Sequence, residues 1–383
     1  MKIKYALFLL LILLMINILP AKAQYKVVFH LKIPANIPTK THQFFIAGDF
    51  NGWHTSDKDF QFKEGKNGVY TVILSLNKGE YQYKIVRGDW QNSEVGSKGQ
   101  SIDNRTIVVG KDSTVIVPIA NWADNFQPIL KKSTAAPNVH FMDTAFAIAV
   151  LHRSRRVWIY LPQNYFTSNK KYPVIYMQDG QNVFDEATSF SGEWGVDEYL
   201  NSLPMDEQCI VVAIDNGGIL RMNEYNPYNN KKFGKGEGTA YASFLAGILK
   251  PFVDEHYRTL SDPKYSVVAG SSMGGLISFY SALHYPKSFG LAGIFSPSFW
   301  IAPKLKVEVQ KLGSNLNKSS FYFYGGGEEP DSMVANIYAT QRLLQKISSV
   351  KTRVDVINNG IHNEKFWRAA FPAFYRWCLE LWK

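Results

Sequence analysis

Two cysteines in 383 residues leave no material for a disulfide framework. Cys209 heads an apolar run and Cys378 lies in an aromatic helical pattern, so both read as small buried hydrophobes. No group of His, Cys, Asp or Glu has metal-ligand spacing, so neither a metal nor any other cofactor is expected. Basic residues cluster only in short pairs such as Lys131-Lys132 and Lys231-Lys232. That is not the stripe that nucleic-acid binding requires, and no nucleic-acid partner is expected. Long apolar runs are also scarce. The one present, Ala6 to Leu19, is shorter than the roughly 20 residues of a spanning helix. Lys2 and Lys4 precede it and Pro20-Ala-Lys-Ala23 follows, which describes a secretory signal cleaved near Ala23. No cysteine stands immediately after that point, where the residue is Gln24, so no stable membrane anchor is expected. The sequence predicts an exported protein, periplasmic or extracellular, whose formal charge of +10 drops by three lysines on cleavage.

The remaining length suits two domains. From Tyr25 to Pro118, short alternating segments are separated by turn clusters: Tyr25–Ile33, Gln43–Ala47, Val69–Leu76, Tyr81–Arg87 and Ser113–Pro118. This pattern predicts a small all-β, immunoglobulin-like sandwich over 24–120. Lys131-Lys-Ser-Thr-Ala-Ala-Pro137 reads as part of a linker over 121–137. Beyond it, over 138–383, apolar strands alternate with amphipathic helices, predicting an α/β fold with a mostly parallel sheet and helices on both faces.

In that second region the run Tyr265–Ala269 leads into Gly270-Ser271-Ser272-Met273-Gly274, and a helical pattern follows at once. This is a G-x-S-x-G turn between strand and helix, the context that exposes a nucleophilic serine. Glycines at both ends permit the tight turn, and the helix N-terminus favours developing negative charge. Of eight histidines only His362 comes late enough to serve as the base, on a loop after Val354–Ile357. The acid belongs after the preceding strand, where Gly325-Gly-Gly-Glu328-Glu329-Pro-Asp331 offers three carboxylates. Residue order alone leaves Glu328, Glu329 and Asp331 open.

Tyr172-Pro-Val-Ile-Tyr-Met-Gln-Asp179-Gly180-Gln181-Asn182, Gly270–Gly275, Ser296-Pro-Ser-Phe-Trp300 and His362 carry a resemblance to the esterase D-like family of α/β-hydrolases, from about Asn138 onward. That family includes feruloyl, acetyl-xylan and trilactone siderophore (enterochelin) esterases. The resemblance implies a Gly-x-x-(Asp/Glu) register for the acid, which selects Glu329, with Asp331 second. Asp179-Gly180 stands where the family commonly has His-Gly. An oxyanion hole from the backbone N–H groups of Met273 and Gln181 follows from the fold. Arg221 is a candidate for a substrate carboxylate or phenolic oxygen, or for a structural pair with Glu224. Trp194 and Trp300 are candidate pocket residues.

In the front region Gly48-Asp-Phe-Asn-Gly-Trp53, Tyr83-Lys84 and Asn104-Arg105 resemble starch- and glycogen-binding modules. The resemblance implies a stacking Trp53 and a polar Lys84, with Trp90 displaced from the second stacking position. An α-glucan is thus a candidate partner of this domain, alongside a role as spacer. The expectation is an exported serine carboxylic-ester hydrolase using Ser272, His362 and Glu329. Its substrates would be small-molecule or polysaccharide esters, chiefly acetyl or feruloyl esters of carbohydrate. A trilactone siderophore esterase is the alternative enzyme, and a catalytically silent glycan-binding protein is the alternative of another class.

Overall fold

A computed structural model describes residues 24–65, 68–126, 131–190, 192–230, 233–313, 316 and 318–383, without the side chain of Asp331. The expected signal segment 1–23 lies outside the described residues. The chain divides into two compact units at Pro128/Ile129.

In the first unit a four-stranded sheet has the order β3-β4-β1-β8: β1 Gln24–Lys32, β3 Lys63–Glu64, β4 Tyr70–Asn77 and β8 Ser113–Pro118. A second, three-stranded sheet joins β2 Phe45–Gly48, β5 Gly79–Val86 and β7 Arg105–Val109. A short pair adds β6 Glu94–Val95 and β9 Asn121–Trp122. Strand alternation sends one face inward, so Val27, Phe29 and Leu31 of β1 meet Val72, Leu74 and Leu76 of β4 in one core with Phe44, Ile46 and Trp122. Each such side chain is worth about 1.5–3 kcal/mol of burial.

Two boundaries need correction. Trp122 is a fully buried member of the sandwich core, and Asp124 pairs with Arg87, so the front unit runs past residue 120. Residues 131–137 are not a free linker, because buried acids of the second unit hold them. Ser133 Oγ and Thr134 N donate to Asp185, Thr134 Oγ1 donates to Glu193 (2.7 Å), and Ala136 N donates to Asp197 (2.7 Å). Residues 127–130 of the expected linker lie outside the described residues.

The second unit is an eight-stranded sheet of order β10-β11-β13-β12-β14-β15-β16-β17. Its strands are β10 Val139–Ile148, β11 Arg153–Tyr160, β12 Val174–Gln178, β13 Ile210–Ile214, β14 Ser266–Ser271, β15 Leu291–Phe295, β16 Ser320–Gly326 and β17 Lys351–Ile357. β10 and β11 are antiparallel, and the six from β12 to β17 run parallel. The central strands are buried on both faces, which is why β12, β13 and β15 read as continuous apolar runs. Helices are α1 Val196–Asn201, α2 Arg221–Glu224, α3 Gly238–Phe244, α4 Lys250–His256, α5 Met273–His284, α6 Leu305–Leu312, α7 Asp331–Leu344 and α8 Glu364–Trp382. Two apolar clusters form. One holds Val268, Ile294 and Phe323 with Leu276 and Phe279 of α5, and the other holds Met177, Ala269 and Phe295 with Phe371 and Phe374 of α8. This is the α/β-hydrolase arrangement. Cys209 and Cys378 are buried and unpaired, with burial pushing the Cys209 thiol up to about 12.

Candidate active site

Three neighbouring parallel strands end in non-glycine residues with positive φ: Asp179 after β12 (58°), Ser272 after β14 (57°) and Ser296 after β15 (44°). Such conformations cost about 1–3 kcal/mol each and persist where surroundings enforce them. At Ser272 (ψ −119°) the enforcement is steric. A Cβ on Gly270 would lie 2.9 Å from the Gly274 backbone, and one on Gly274 would lie 2.9 Å from Asp179 Oδ2. Glycine alone fits both places. The loop after β15 closes on the serine, since Ser272 N donates to Phe295 O (2.9 Å) and Ser298 N donates to Ser272 O (3.1 Å). Ser298 Oγ stands 3.3 Å from Ser272 Oγ.

The loops after β16 and β17 bring an acid and a base together. His362 Nδ1 is 2.8 Å from Glu329 Oε2. Glu329 Oε1 accepts from Ser296 Oγ (2.5 Å) and from Gly326 N (2.8 Å). Only 4% of Glu329 is exposed. Burial alone would raise its carboxyl, but His362, by hydrogen bond and charge, and the donors Ser296 and Gly326 outweigh it and hold the pKa below the ordinary value. Ser296 also accepts from Trp367 Nε1 (3.0 Å), and that indole meets the His362 ring edge-on at 5.0 Å. Among the three candidate acids, Glu328 is exposed and the Asp331 side chain lies outside the described residues. Glu329, the residue in register with the motif, meets the histidine.

Met273 is the first residue of α5, so its N–H has no acceptor within the helix. The turn Gly180–Asn182 is closed by Asn182 N to Asp179 O (2.9 Å) and Val183 N to Gly180 O (3.1 Å), bonds that do not use Gln181 N–H. Side chains brace this turn. Gln181 Oε1 accepts from Asn216 N (3.1 Å), and Asn216 Nδ2 donates to Asp179 Oδ1 (2.7 Å). Arg221 grips the same carboxylate with Nε to Oδ1 (2.6 Å) and Nη2 to Oδ2 (2.8 Å). Burial disfavours the Arg221 cation, yet Asp179 more than offsets this and raises its pKa.

The expected Arg221–Glu224 pair needs correction: Arg221 binds Asp179 through Nε and Nη2, and Glu224 is fully buried against Arg153 and Arg155 instead. Trp194 is also reassigned. It is 3% exposed and packs on Phe295, Trp367 and Phe371, so it belongs to the core beneath the site. Trp300 is 38% exposed, with its edge against Phe233 (5.4 Å), and remains available to a ligand. Sequence reasoning missed Ser296, Ser298, Asn216 and Glu364. Glu364 accepts from Asn182 Nδ2 (3.3 Å), and burial raises its pKa although His362 and Arg221 stand near it. Only the Ser296-Pro-Ser298 motif signalled any of these locally.

In the front unit Trp53 and Trp90 are partly exposed, with ring centroids 6.0 Å apart and planes inclined by 38°. Trp53, at φ 64°, donates Nε1–H to Asp49 Oδ1 (3.1 Å). Lys84 Nζ donates to Ile102 O (2.6 Å), and burial lowers its pKa. The two indoles that the sequence left apart are neighbours.

The profile of the family described as "Putative esterase" matches residues 148–378. An uncharacterized protein, YbbA of Bacillus subtilis (strain 168), is 29% identical over 245 residues, 58% of this chain and 92% of that protein. An endo-1,4-beta-xylanase/feruloyl esterase of Xylanibacter ruminicola is 27% identical over 157 residues, 39% of this chain and 20% of that protein. Among solved structures, enterochelin esterase from Shigella flexneri superposes with a TM-score of 0.50 at 18% identity, covering 94% of this chain and 93% of that one. At that identity the likeness speaks to the fold.

Proposed function

Because the chain belongs to this esterase family and is a carboxylic-ester hydrolase, we propose that it works through Ser272, His362 and Glu329 on acyl esters of carbohydrate, acetyl or feruloyl, after export. The 2.8 Å contact between His362 Nδ1 and Glu329, at the strand ends that carry the strained Ser272, is the observation on which this reading stands. Glu329 accepts a hydrogen bond from Nδ1–H and keeps the proton on that nitrogen, so Nε2 carries the lone pair that takes the proton from Ser272 Oγ. Oγ adds to the ester carbonyl, and the Met273 and Gln181 N–H groups receive the oxyanion. His362 then protonates the leaving alkoxide as the alcohol departs. Water, deprotonated by the same imidazole, adds to the acyl-serine, and collapse releases the acid and restores the serine.

The paired indoles of the front unit favour a carbohydrate substrate, because a partly exposed tryptophan offers a flat apolar face to a sugar ring. On this reading Trp53 and Trp90 hold an α-glucan or a related chain. Export rests on the residues before Gln24 and is tested by cell fractionation. A hydrolysis panel tests the substrate: p-nitrophenyl acetate, methyl ferulate, acetylated xylan and an iron-free trilactone siderophore. Preference for the first three supports the proposal. Preference for the trilactone replaces it with siderophore hydrolysis, and no turnover of any with no fluorophosphonate labelling of Ser272 leaves a glycan-binding protein.

A further inference from the structure

A buried carboxylate beside an oxyanion hole is an electrostatic liability, and this site has one. Asp179 Oδ2 would lie 2.9 Å from a Cβ on Gly274, in the first turn of the helix whose N-terminus receives the oxyanion. Asp179 also begins the turn that carries Gln181, the second donor. A negative charge there opposes a second one forming a few ångströms away, in a medium that screens poorly. Arg221 answers it with two hydrogen bonds from the α2 side, and Asn216 ties the same carboxylate to the loop after β13. Asn216 N in turn holds Gln181 Oε1 (3.1 Å).

We propose that Arg221, Asp179 and Asn216 form a positioning unit for the oxyanion hole, in which Asp179 sets the Gln181 turn and Arg221 cancels the charge that this device would otherwise direct at the transition state. The inference rests on the serine-esterase reading above. A fork-shaped guanidinium suits the task because it meets both carboxylate oxygens at once. An unpaired carboxylate in this place would weaken every transition state while leaving ground-state binding of a neutral ester nearly untouched. The same argument gives asparagine a special standing at position 179. It tolerates the left-handed φ of 58° and keeps an acceptor for Asn216, but it carries no charge.

The test is a charge cycle in the full-length chain, assayed with p-nitrophenyl acetate. Arg221→Met should lower kcat on the order of 10²-fold, the size of losing one oxyanion donor, with KM changed less than about twofold. Adding Asp179→Asn to it should restore kcat by roughly tenfold, because the orphaned charge is gone. The affinity of a boronic acid, which forms an anionic tetrahedral adduct on the serine, should follow kcat through the series. Packing damage alone would make the double variant no faster than Arg221→Met, and that result overturns the inference. So does an Arg221→Met rate within about threefold of wild type. Should Arg221→Met fail to fold, Arg221→Lys carries the test. It keeps the cation, so Asp179→Asn must not accelerate it, and acceleration refutes the inference. Ser272→Ala separates the two levels. An inactive Ser272→Ala beside an unaffected Arg221→Met sinks only the positioning unit, whereas an active Ser272→Ala sinks the serine reading itself.

Discussion

Replacing Glu329 by glutamine changes one atom and should nearly silence the enzyme. The carboxylate accepts three hydrogen bonds, from His362 Nδ1 at 2.8 Å, Ser296 Oγ at 2.5 Å and Gly326 N at 2.8 Å. The last two fall on Oε1, so the glutamine carbonyl oxygen belongs on that side and the amide NH2 turns toward His362. An NH2 group donates, and imidazole must then present a bare Nδ1 with its proton on Nε2. In that tautomer Nε2 cannot take the serine proton. An equivalent acid-to-amide change in a serine-protease triad costs about 10⁴ in kcat, which sets the expected scale here. KM should move little, since the side chain is buried and bonded to His362, Ser296 and Gly326. The assay is steady-state hydrolysis of p-nitrophenyl acetate, with Asp331→Asn measured in parallel and expected within about twofold of wild type. Comparable small losses in both variants would refute the reasoning and leave a Ser-His pair oriented by some other group. A large loss in Asp331→Asn alone would move the acid to Asp331.

Three further outcomes are expected. Ser296→Ala removes the hydroxyl shared by Glu329 and Trp367, so kcat should fall by about tenfold and stability by about 1 kcal/mol, read by kinetics and urea unfolding. The lowered pKa of Glu329 makes its contribution to stability complete above the ordinary carboxylate pKa and lost as pH falls through the lowered value, so acidification should depress the wild-type melting temperature more steeply than that of Glu329→Gln. A hydrolase fragment starting at Lys131 should melt higher than one starting at Asn138, because only the longer one keeps the bonds from Ser133, Thr134 and Ala136 to Asp185, Glu193 and Asp197, and equal midpoints would refute their value.

What the sequence disclosed was local. The elbow is contained in five consecutive residues, and its glycines are explained by clashes within those residues and with the neighbouring strand end. His362 was reachable because few histidines follow the serine, whereas Glu329 was singled out from Glu328 and Asp331 only by the Gly-x-x-(Asp/Glu) register that the family resemblance implies. The rest joins distant segments. Asp179 and Arg221 are 42 positions apart, and Asn182 and Glu364 are 182 apart, so no periodicity or motif announces them. Trp194 misled because topology places its loop at the site, while its neighbours Phe295 and Phe371 draw the ring into the core. The front-domain boundary fell short for a similar reason. Asn121-Trp122 is a two-residue strand, too short for alternation to show, yet its indole fills the sandwich.

Trp367 binds the active site to the fate of one helix. Asn363 caps α8 by accepting from Phe366 N (3.2 Å), immediately after His362, and Trp367 in the first turn reaches Ser296. Helix ends fray before helix middles, and the sheet beneath is held by a much larger buried core. Warming should therefore loosen the imidazole and its acid while the strands remain paired. Hydrolysis then becomes an early warning of heat damage, fading several degrees before circular dichroism records any loss of structure and returning when the sample is cooled from that window.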